Sequence, residues 1–94
     1  MSEVRVSRIA TALRRKSFET YKSHHLMYWL VVKGQRTAIR TRISHGERKA
    51  DDWLLGQIAR QLHLSKQELE DLIDCPLSGE QYVRLMVERG HLRP

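Results

Sequence analysis

The chain is poor in several features on which whole classes of protein depend. Only one of its 94 residues is cysteine, Cys75, so an internal disulfide is excluded and a reducing compartment is expected. Two prolines and five glycines are too few for a collagen-like or low-complexity chain. The longest apolar run, Leu26–Val32, is far shorter than the roughly 20 residues of a membrane helix. The first residues also lack the apolar stretch of a signal peptide, so we expect a cytoplasmic protein without a membrane partner.

The sequence also lacks the usual motifs of metal and cofactor sites. There is no Gly-rich phosphate loop or dinucleotide fingerprint, because Gly34 and Gly46 are isolated. No Cys-x-x-Cys or His-x₃-His pair is present, and adjacent histidines in a strand point to opposite faces. Cys75, directly before Pro76, is typical of a buried structural thiol. We therefore expect neither a metal nor a cofactor.

Charge is present in excess and is unevenly distributed. The net charge is +6, but residues 1–49 hold 12 basic and 3 acidic side chains, whereas residues 50–94 hold 5 and 8. This pattern favours a basic working surface joined to a neutral packing or partner-binding segment, and nucleic acid is the obvious polyanion. The alternative is surplus charge that only maintains solubility. The length fits one domain with a thin core.

The first half of the chain predicts one helix followed by three strands. Val6, Ile9 and Leu13 recur at helical spacing. Aromatic and β-branched residues with alternating polarity then predict strands, and Gly34 marks the turn between the second and third of them. The predicted elements are a helix over 4–16, strands over 18–22, 24–32 and 37–43, and a turn over 33–36.

The second half predicts three helices with readable ends. Asp51 or Asp52 is the expected N-cap of a helix over 53–62. Ser65-Lys66-Gln67-Glu68 and Ser78-Gly79-Glu80-Gln81 are capping-box sequences that open two short helices, and Gly90 is placed to end the last one. The predicted fold is α+β: an N-terminal helix, a three-stranded antiparallel meander, a helix, and two short C-terminal helices. We predict a core over residues 1–64 and a helical extension over 65–94 packed on the same domain.

A row of arginines is the strongest candidate for binding an anion. Arg36, Arg40 and Arg42 share one face of a predicted strand, where their guanidinium groups could bind phosphates bidentately. The alternative is a charged face that protects an exposed strand. Trp29 and Tyr21 either stack on bases or pack on the sheet. The other candidate phosphate-binding residues nearby in sequence are Lys22, Arg48 and Lys49.

Three histidines lie at predicted strand ends. His24 and His25 open the second strand and His45 follows the third, so they can approach the same edge of the meander. One imidazole could take the proton of a ribose 2′-OH while another protonates the departing 5′-oxygen, a reaction that requires no metal. The alternative is that these are polar strand-end residues without a catalytic role.

Two short segments resemble motifs of the HicA-type toxins, which are small mRNA interferases of toxin–antitoxin systems. Lys22-Ser23-His24-His25 at the start of a strand is similar to the family's Gly-Ser-His, and Ile43-Ser44-His45-Gly46 to its Pro-x-His. The resemblance covers roughly residues 5–64. It implies a double-stranded-RNA-binding-like α-β-β-β-α fold, RNA cleavage with His24 as the functional histidine, and an antitoxin partner.

Three functions remain open at this point. The leading prediction is an RNA-binding, HicA-like, metal-independent endoribonuclease in which His24 acts with His25 or His45. The second is a nucleic-acid-binding module that does not cleave and uses the same arginines. The third is a small protein-interaction domain whose C-terminal helices form a homo- or hetero-oligomer contact. The histidine doublet leaves open whether His24 or His25 occupies the site.

Overall fold

The fold combines a three-stranded antiparallel sheet with four helices, which confirms the predicted α+β class. The computed structural model describes residues 4–22, 25–44, 46, 48–74 and 76–93. None of the helices in this part of the chain has the length and apolarity that crossing a membrane requires. In chain order the elements are β1 (Val4–Arg5), α1 (Val6–Arg15), β2 (Phe18–Lys22), β3 (His25–Val32), β4 (Gln35–Ser44), β5 (Lys49–Ala50), α2 (Asp52–Gln61), α3 (Lys66–Asp74) and α4 (Gly79–Glu88).

The first helix begins later than its sequence pattern predicts. Val4 and Arg5 form a short strand that pairs antiparallel with Ala50 and Lys49 of β5. Val4 and Ala50 are both buried, so this pairing places apolar side chains in the core and satisfies the backbone there. The prediction of helix at residues 4–5 was wrong because the partner strand lies more than 40 residues away in sequence. The apolar stripe of α1 is buried as expected: Val6, Ile9, Ala10 and Leu13.

The main sheet has the strand order β2-β3-β4 and buries one face against the helices. Phe18 of β2 lies opposite Leu30 of β3, and Tyr28 lies opposite Thr41 of β4. The β3–β4 turn is tighter than predicted: Lys33 (φ 53°) and Gly34 (φ 77°) form it, and Gln35 already belongs to β4. Positive φ at both turn residues matches the right-handed twist of the two strands.

The C-terminal helices contribute directly to the single buried cluster of described residues. Leu69, Leu72 and Met86 are at most 1% exposed and belong to the same cluster as α1 and the sheet. Tyr82 is fully buried; its hydroxyl donates to the carbonyl oxygen of Leu62 at 2.8 Å, and its ring centroid lies 5.8 Å from that of Phe18. Burial raises the pKa of the Tyr82 hydroxyl well above its ordinary value. Helices α3 and α4 are therefore part of the hydrophobic core.

The predicted N-caps are present, and in each of them a side-chain oxygen accepts a hydrogen bond from a backbone N–H. Asp51 is the cap of α2, where its carboxylate accepts from the backbone N–H of Leu54 at 2.9 Å. Both predicted capping boxes form, with reciprocal bonds between Ser65 and Glu68 and between Ser78 and Gln81. Capping of this kind contributes about 1 kcal/mol per helix. The local sequence thus determines where these helices begin.

Helices α2 and α4 end in the same backbone motif, and their C-terminal ends lie next to each other. Gly90 adopts a positive φ after α4, as predicted, and His63 does so after α2 (φ 61°). In each case the next residue donates its N–H to the carbonyl oxygen five residues earlier in the chain: Leu64 to Ala59, and His91 to Met86. The imidazoles of His63 and His91 stack with ring centroids 3.6 Å apart.

This stacked pair predicts that stability falls on mild acidification. Burial and the neighbouring charge of His91 lower the pKa of His63 below its ordinary value of 6.5. The unfolded chain therefore binds more protons than the folded protein below about pH 6.5, and stability falls as the pH drops. The pKa of Glu68 is lowered too, chiefly by the hydrogen bond from Arg89, but that contribution is lost only below about pH 4.5.

We expect the melting temperature to drop between pH 7.5 and 5.5 in the wild type and to drop less in His63→Asn. Asparagine tolerates positive φ, so the helix end is preserved while the titrating group is removed. Thermal unfolding followed by circular dichroism measures both proteins. An equal drop in the two would show that His63 is not the responsible group.

Candidate nucleic-acid interface

The side of the main sheet that faces away from the helices carries the predicted arginine row. Strand alternation places His25, Met27, Trp29 and Val31 of β3 on this side. Across the β3–β4 pairing, Met27 lies opposite Arg42, Trp29 opposite Arg40 and Val31 opposite Arg36, while β2 supplies Glu19 and Tyr21 on the other side of β3. We call this surface the open face, defined by Tyr21, Trp29, Arg36, Arg40 and Arg42.

Aromatic rings contact two of the three arginines of the open face. The Cζ atoms of Arg36 and Arg40 each lie 5.0 Å from the ring centroid of Trp29, and Arg36 Cζ also lies 5.6 Å from that of Tyr21. Each exposed contact of this kind contributes about 0.5–1 kcal/mol. Tyr21 is 54% exposed. The open face is thus a set of planar groups, cationic and aromatic, presented to solvent.

The arginines of the open face keep their hydrogen-bonding capacity. Across the described ranges, Arg36, Arg40 and Arg42 take part in none of the salt bridges, and all three are exposed. Glu19 is the single acidic side chain that strand pairing brings to this face. Their guanidinium N–H groups can therefore donate to an external anion.

A bulge in β4 brings two arginines to one tryptophan. Arg36 pairs with Val31 and Arg40 with Trp29, so three β4 residues stand opposite Leu30 alone. The hydroxyl of Thr37 secures the irregularity: it donates to the carbonyl of Leu30 at 2.9 Å and accepts from the N–H of Ile39 at 3.2 Å. Strand alternation by itself does not predict this bulge, because a threonine is equally common in regular strands.

The end of α2 fixes the outer edge of β4. The side-chain oxygen of Gln61 accepts from the hydroxyl of Thr41 at 2.5 Å and from the backbone N–H of Arg42 at 3.2 Å. Gln61, Met27, Arg40 and Arg42 also line a recess of about 540 Å³ beside the open face. The helix therefore satisfies an edge N–H group and holds the strand rigid between two arginines.

The remaining predicted phosphate-binding residues lie on the other side of the sheet. Lys22 alternates with Tyr21 and faces α1, where it lines a groove with Arg48 and Lys49 of the β5 segment. Arg5 and Arg14 line the same groove, and sequence reasoning did not assign them to a site. We call this the basic groove. The six predicted residues are thus divided between two surfaces, three on the open face and three in the basic groove.

Of the three candidate histidines, the structure describes His25. His25 lies opposite Ser44 at the end of the sheet and is half-buried, on the same side of β3 as Met27. His24 and His45 lie outside the described residues. Over the ranges that the structure describes, no group of three histidine, cysteine or acidic side chains is placed to hold a metal ion.

Comparison with known proteins identifies no relative of this chain. No family model, curated protein or solved structure matches this chain. Its function must therefore be inferred from the open face, the basic groove and the histidines themselves.

Proposed function

We propose that the protein binds single-stranded RNA on its open face. The observation that carries this proposal is the contact of two exposed guanidinium groups, Arg36 and Arg40, with the ring of Trp29. Proteins that bind single strands combine cationic side chains along the backbone with aromatic rings on which bases stack. Tyr21, exposed on the neighbouring strand, offers a second ring.

The choice of a single strand follows from the shape of this surface. Bases can reach Trp29 and Tyr21 only when they are unstacked from a duplex. The exposed guanidinium groups of Arg36 and Arg40, which contact Trp29, then bind the phosphates that connect the bases. The order α1, β2, β3, β4, α2 supports the double-stranded-RNA-binding-like layout that the toxin resemblance implies. That resemblance favours RNA over DNA as the ligand.

The test is a fluorescence anisotropy titration of the full chain with a labelled single-stranded RNA of about 12 nucleotides. If three arginines each neutralise one phosphate, the slope of log K against log salt is about −2, because each contact with a single strand contributes about −0.7. A duplex RNA and a single-stranded DNA of the same sequence serve as comparisons. Failure to bind the RNA at about 50 mM salt would contradict the proposal.

As a second candidate function, we propose that the bound RNA is cleaved as in the HicA-type toxins. His25 supports this, because it is on the same side of β3 as Met27, whose partner across the strands is Arg42. In the reaction the ribose 2′-oxygen attacks phosphorus and the bond to the 5′-oxygen breaks. One imidazole takes the 2′-OH proton, another protonates the leaving oxygen, and an arginine stabilises the charge on the transition state.

Cleavage of this kind predicts products with 2′,3′-cyclic phosphate and 5′-hydroxyl ends, formed equally well in excess EDTA. We expect His24→Ala to reduce the rate by about 10²-fold or more, and either His25→Ala or His45→Ala to do the same. His91→Ala, in the stacked pair near α4, is the matched control and should leave the rate unchanged. RNA that binds but stays intact for hours would favour the non-catalytic module.

The partners of this activity are also part of the proposal. An antitoxin protein follows from the toxin resemblance, and self-association through the C-terminal helices, as an interaction domain would require, remains a prediction. A size-exclusion profile with light scattering would establish whether the purified chain is a monomer or a dimer. A dimer that binds neither RNA nor DNA would favour the interaction domain over both nucleic-acid functions.

A further inference from the structure

The basic groove is a second concave site on the opposite side of the sheet from the open face. Its volume is about 640 Å³, within the range of small-molecule sites. Its rim carries five cationic side chains, and among the residues that the structure describes none of those lining it is acidic; the five are Arg5, Arg14, Lys22, Arg48 and Lys49. Elsewhere on the described chain, Arg8 and Arg89 are paired with carboxylates. A concave site that concentrates cations without acids is suited to an anionic ligand.

Four of these cations have no hydrogen-bond or ion-pair partner among the residues that the structure describes. Within the described chain, the side chains of Arg5, Arg14, Lys22 and Arg48 form neither salt bridges nor hydrogen bonds, and all four are exposed. Bringing several like charges to one groove costs free energy through their mutual repulsion. An anion bound among them would remove this repulsion.

The start of α1 adds to the positive potential of the groove. Val6 and Ser7, the first two residues of the helix, line the groove. Arg5 at the N-cap position gives no side-chain cap, and the first turn contains no acidic residue. The helices α2 and α4, by contrast, have side-chain caps. The N–H of Val6 already donates to the carbonyl oxygen of Arg48 at 2.9 Å. The contribution of α1 to the groove is therefore its dipole, which favours negative charge near the start of the helix.

The inner wall of the groove is apolar and contains one unsatisfied hydroxyl. The apolar residues Leu26 and Ala10 line this wall beside Tyr28, and a ribose or a base can contact it. Thr20 lies on the same wall, and its Oγ1 atom is buried without a hydrogen-bond partner. An unpaired buried hydroxyl costs about 1–3 kcal/mol, which a ligand oxygen or nitrogen could recover.

We propose that the basic groove binds the phosphate group of a nucleotide, with its sugar or base against the apolar wall. The ligand is either a free mononucleotide or the terminal phosphate of an RNA strand, since both present a phosphate monoester. Arg14 and Arg48, on α1 and beside β5, are the expected clamps, because they approach the groove from two different elements. This site is separate from the open face and does not depend on the function proposed for that face.

The experiment is a titration of the full ¹⁵N-labelled chain with adenosine 5′-monophosphate and with adenosine, followed by amide chemical shifts. A parallel arm compares a 5′-phosphorylated RNA tetranucleotide with its 5′-hydroxyl form. We expect the phosphorylated probes to shift residues of α1 and β5, and adenosine to bind at least about tenfold more weakly, since a charge-assisted contact is lost. Tighter binding of the tetranucleotide than of the mononucleotide identifies an RNA end; the reverse identifies a free nucleotide.

Three variants separate the groove from general charge effects. Arg14→Gln with Arg48→Gln should weaken phosphate binding by about two orders of magnitude, whereas Arg15→Gln, on the same helix but not lining the groove, should have little effect. Thr20→Val should weaken binding while keeping or raising the melting temperature, because it removes a buried unpaired hydroxyl.

A charge change away from both surfaces is the independent control. Arg60→Gln, exposed on α2 and not lining the groove, should leave mononucleotide binding intact. Equal binding of phosphorylated and unphosphorylated probes, or unchanged binding by the Arg14 and Arg48 double variant, would overturn the proposal.

Discussion

Replacement of Arg36 and Arg40 by glutamine should lower the affinity for single-stranded RNA by about two orders of magnitude, since each lost phosphate contact is equivalent to roughly a tenfold change. Both side chains are exposed and contact Trp29, so their loss removes charge from the open face without opening the core. The slope of log K against log salt should become less steep by about 1.4, because two phosphate contacts disappear. Anisotropy titrations at several salt concentrations measure both quantities.

The stacking part of the same site has its own variant. Trp29→Leu keeps an apolar side chain in β3 but removes the ring, and should lower the affinity by roughly tenfold or more with little change in salt slope. The matched control for charge is Arg60→Gln with Arg84→Gln, two exposed positions on α2 and α4. If this control lowers the affinity as much as the Arg36 and Arg40 variant does, binding is a property of net charge and not of the open face.

Removal of residues 65–94 should leave a chain that does not fold. The deletion takes away α3 and α4, whose buried side chains lie in the same cluster as α1 and the sheet. Each fully buried aliphatic or aromatic side chain contributes about 1.5–3 kcal/mol, so the loss of five of them is comparable to the roughly 5–15 kcal/mol by which domains are stable. The five are Leu69, Leu72, Ile73, Tyr82 and Met86.

Circular dichroism and urea unfolding of the 1–64 fragment test this expectation. A milder version uses the full chain: Leu72→Ala should cost about 2–5 kcal/mol, whereas Gln67→Ala, exposed on the same helix, should change the stability by about 0.5 kcal/mol or less. A cooperative unfolding transition for the fragment would show that residues 1–64 are an independent core and that the C-terminal helices are an addition to it.

The two surfaces would allow one small chain to have two separate binding sites. In the part of the chain that the structure describes, no second layer covers the open face, so side chains that alternate along one strand reach two environments. On β2, Tyr21 belongs to the open face whereas Lys22 lines the basic groove. A substitution on one surface should therefore leave the proposed binding at the other unchanged.

Much of the candidate interface could be predicted from the sequence because it lies within single strands. Alternation along β4 correctly placed Ile39, Thr41 and Ile43 in the core and the arginines outside. The basic groove was harder to foresee, because Arg5, Arg14 and Arg48 come from three separate segments. Which cations share a groove depends on how α1 and β5 pack, and no local pattern contains that information.

The sequence by itself determined the features that depend on neighbouring residues: the α+β class, the strand faces, the capping boxes of α3 and α4, and the end of α4 at Gly90. Only the tertiary structure decided the pairing of Val4 with Ala50, the bulge that brings Arg36 and Arg40 to Trp29, and the division of the basic residues between two sides of the sheet. The physical reason is the distance along the chain between the residues that interact. Caps and alternation are set by hydrogen bonds and side-chain direction within a few residues, whereas pairing and packing depend on burial between segments that are distant in the chain.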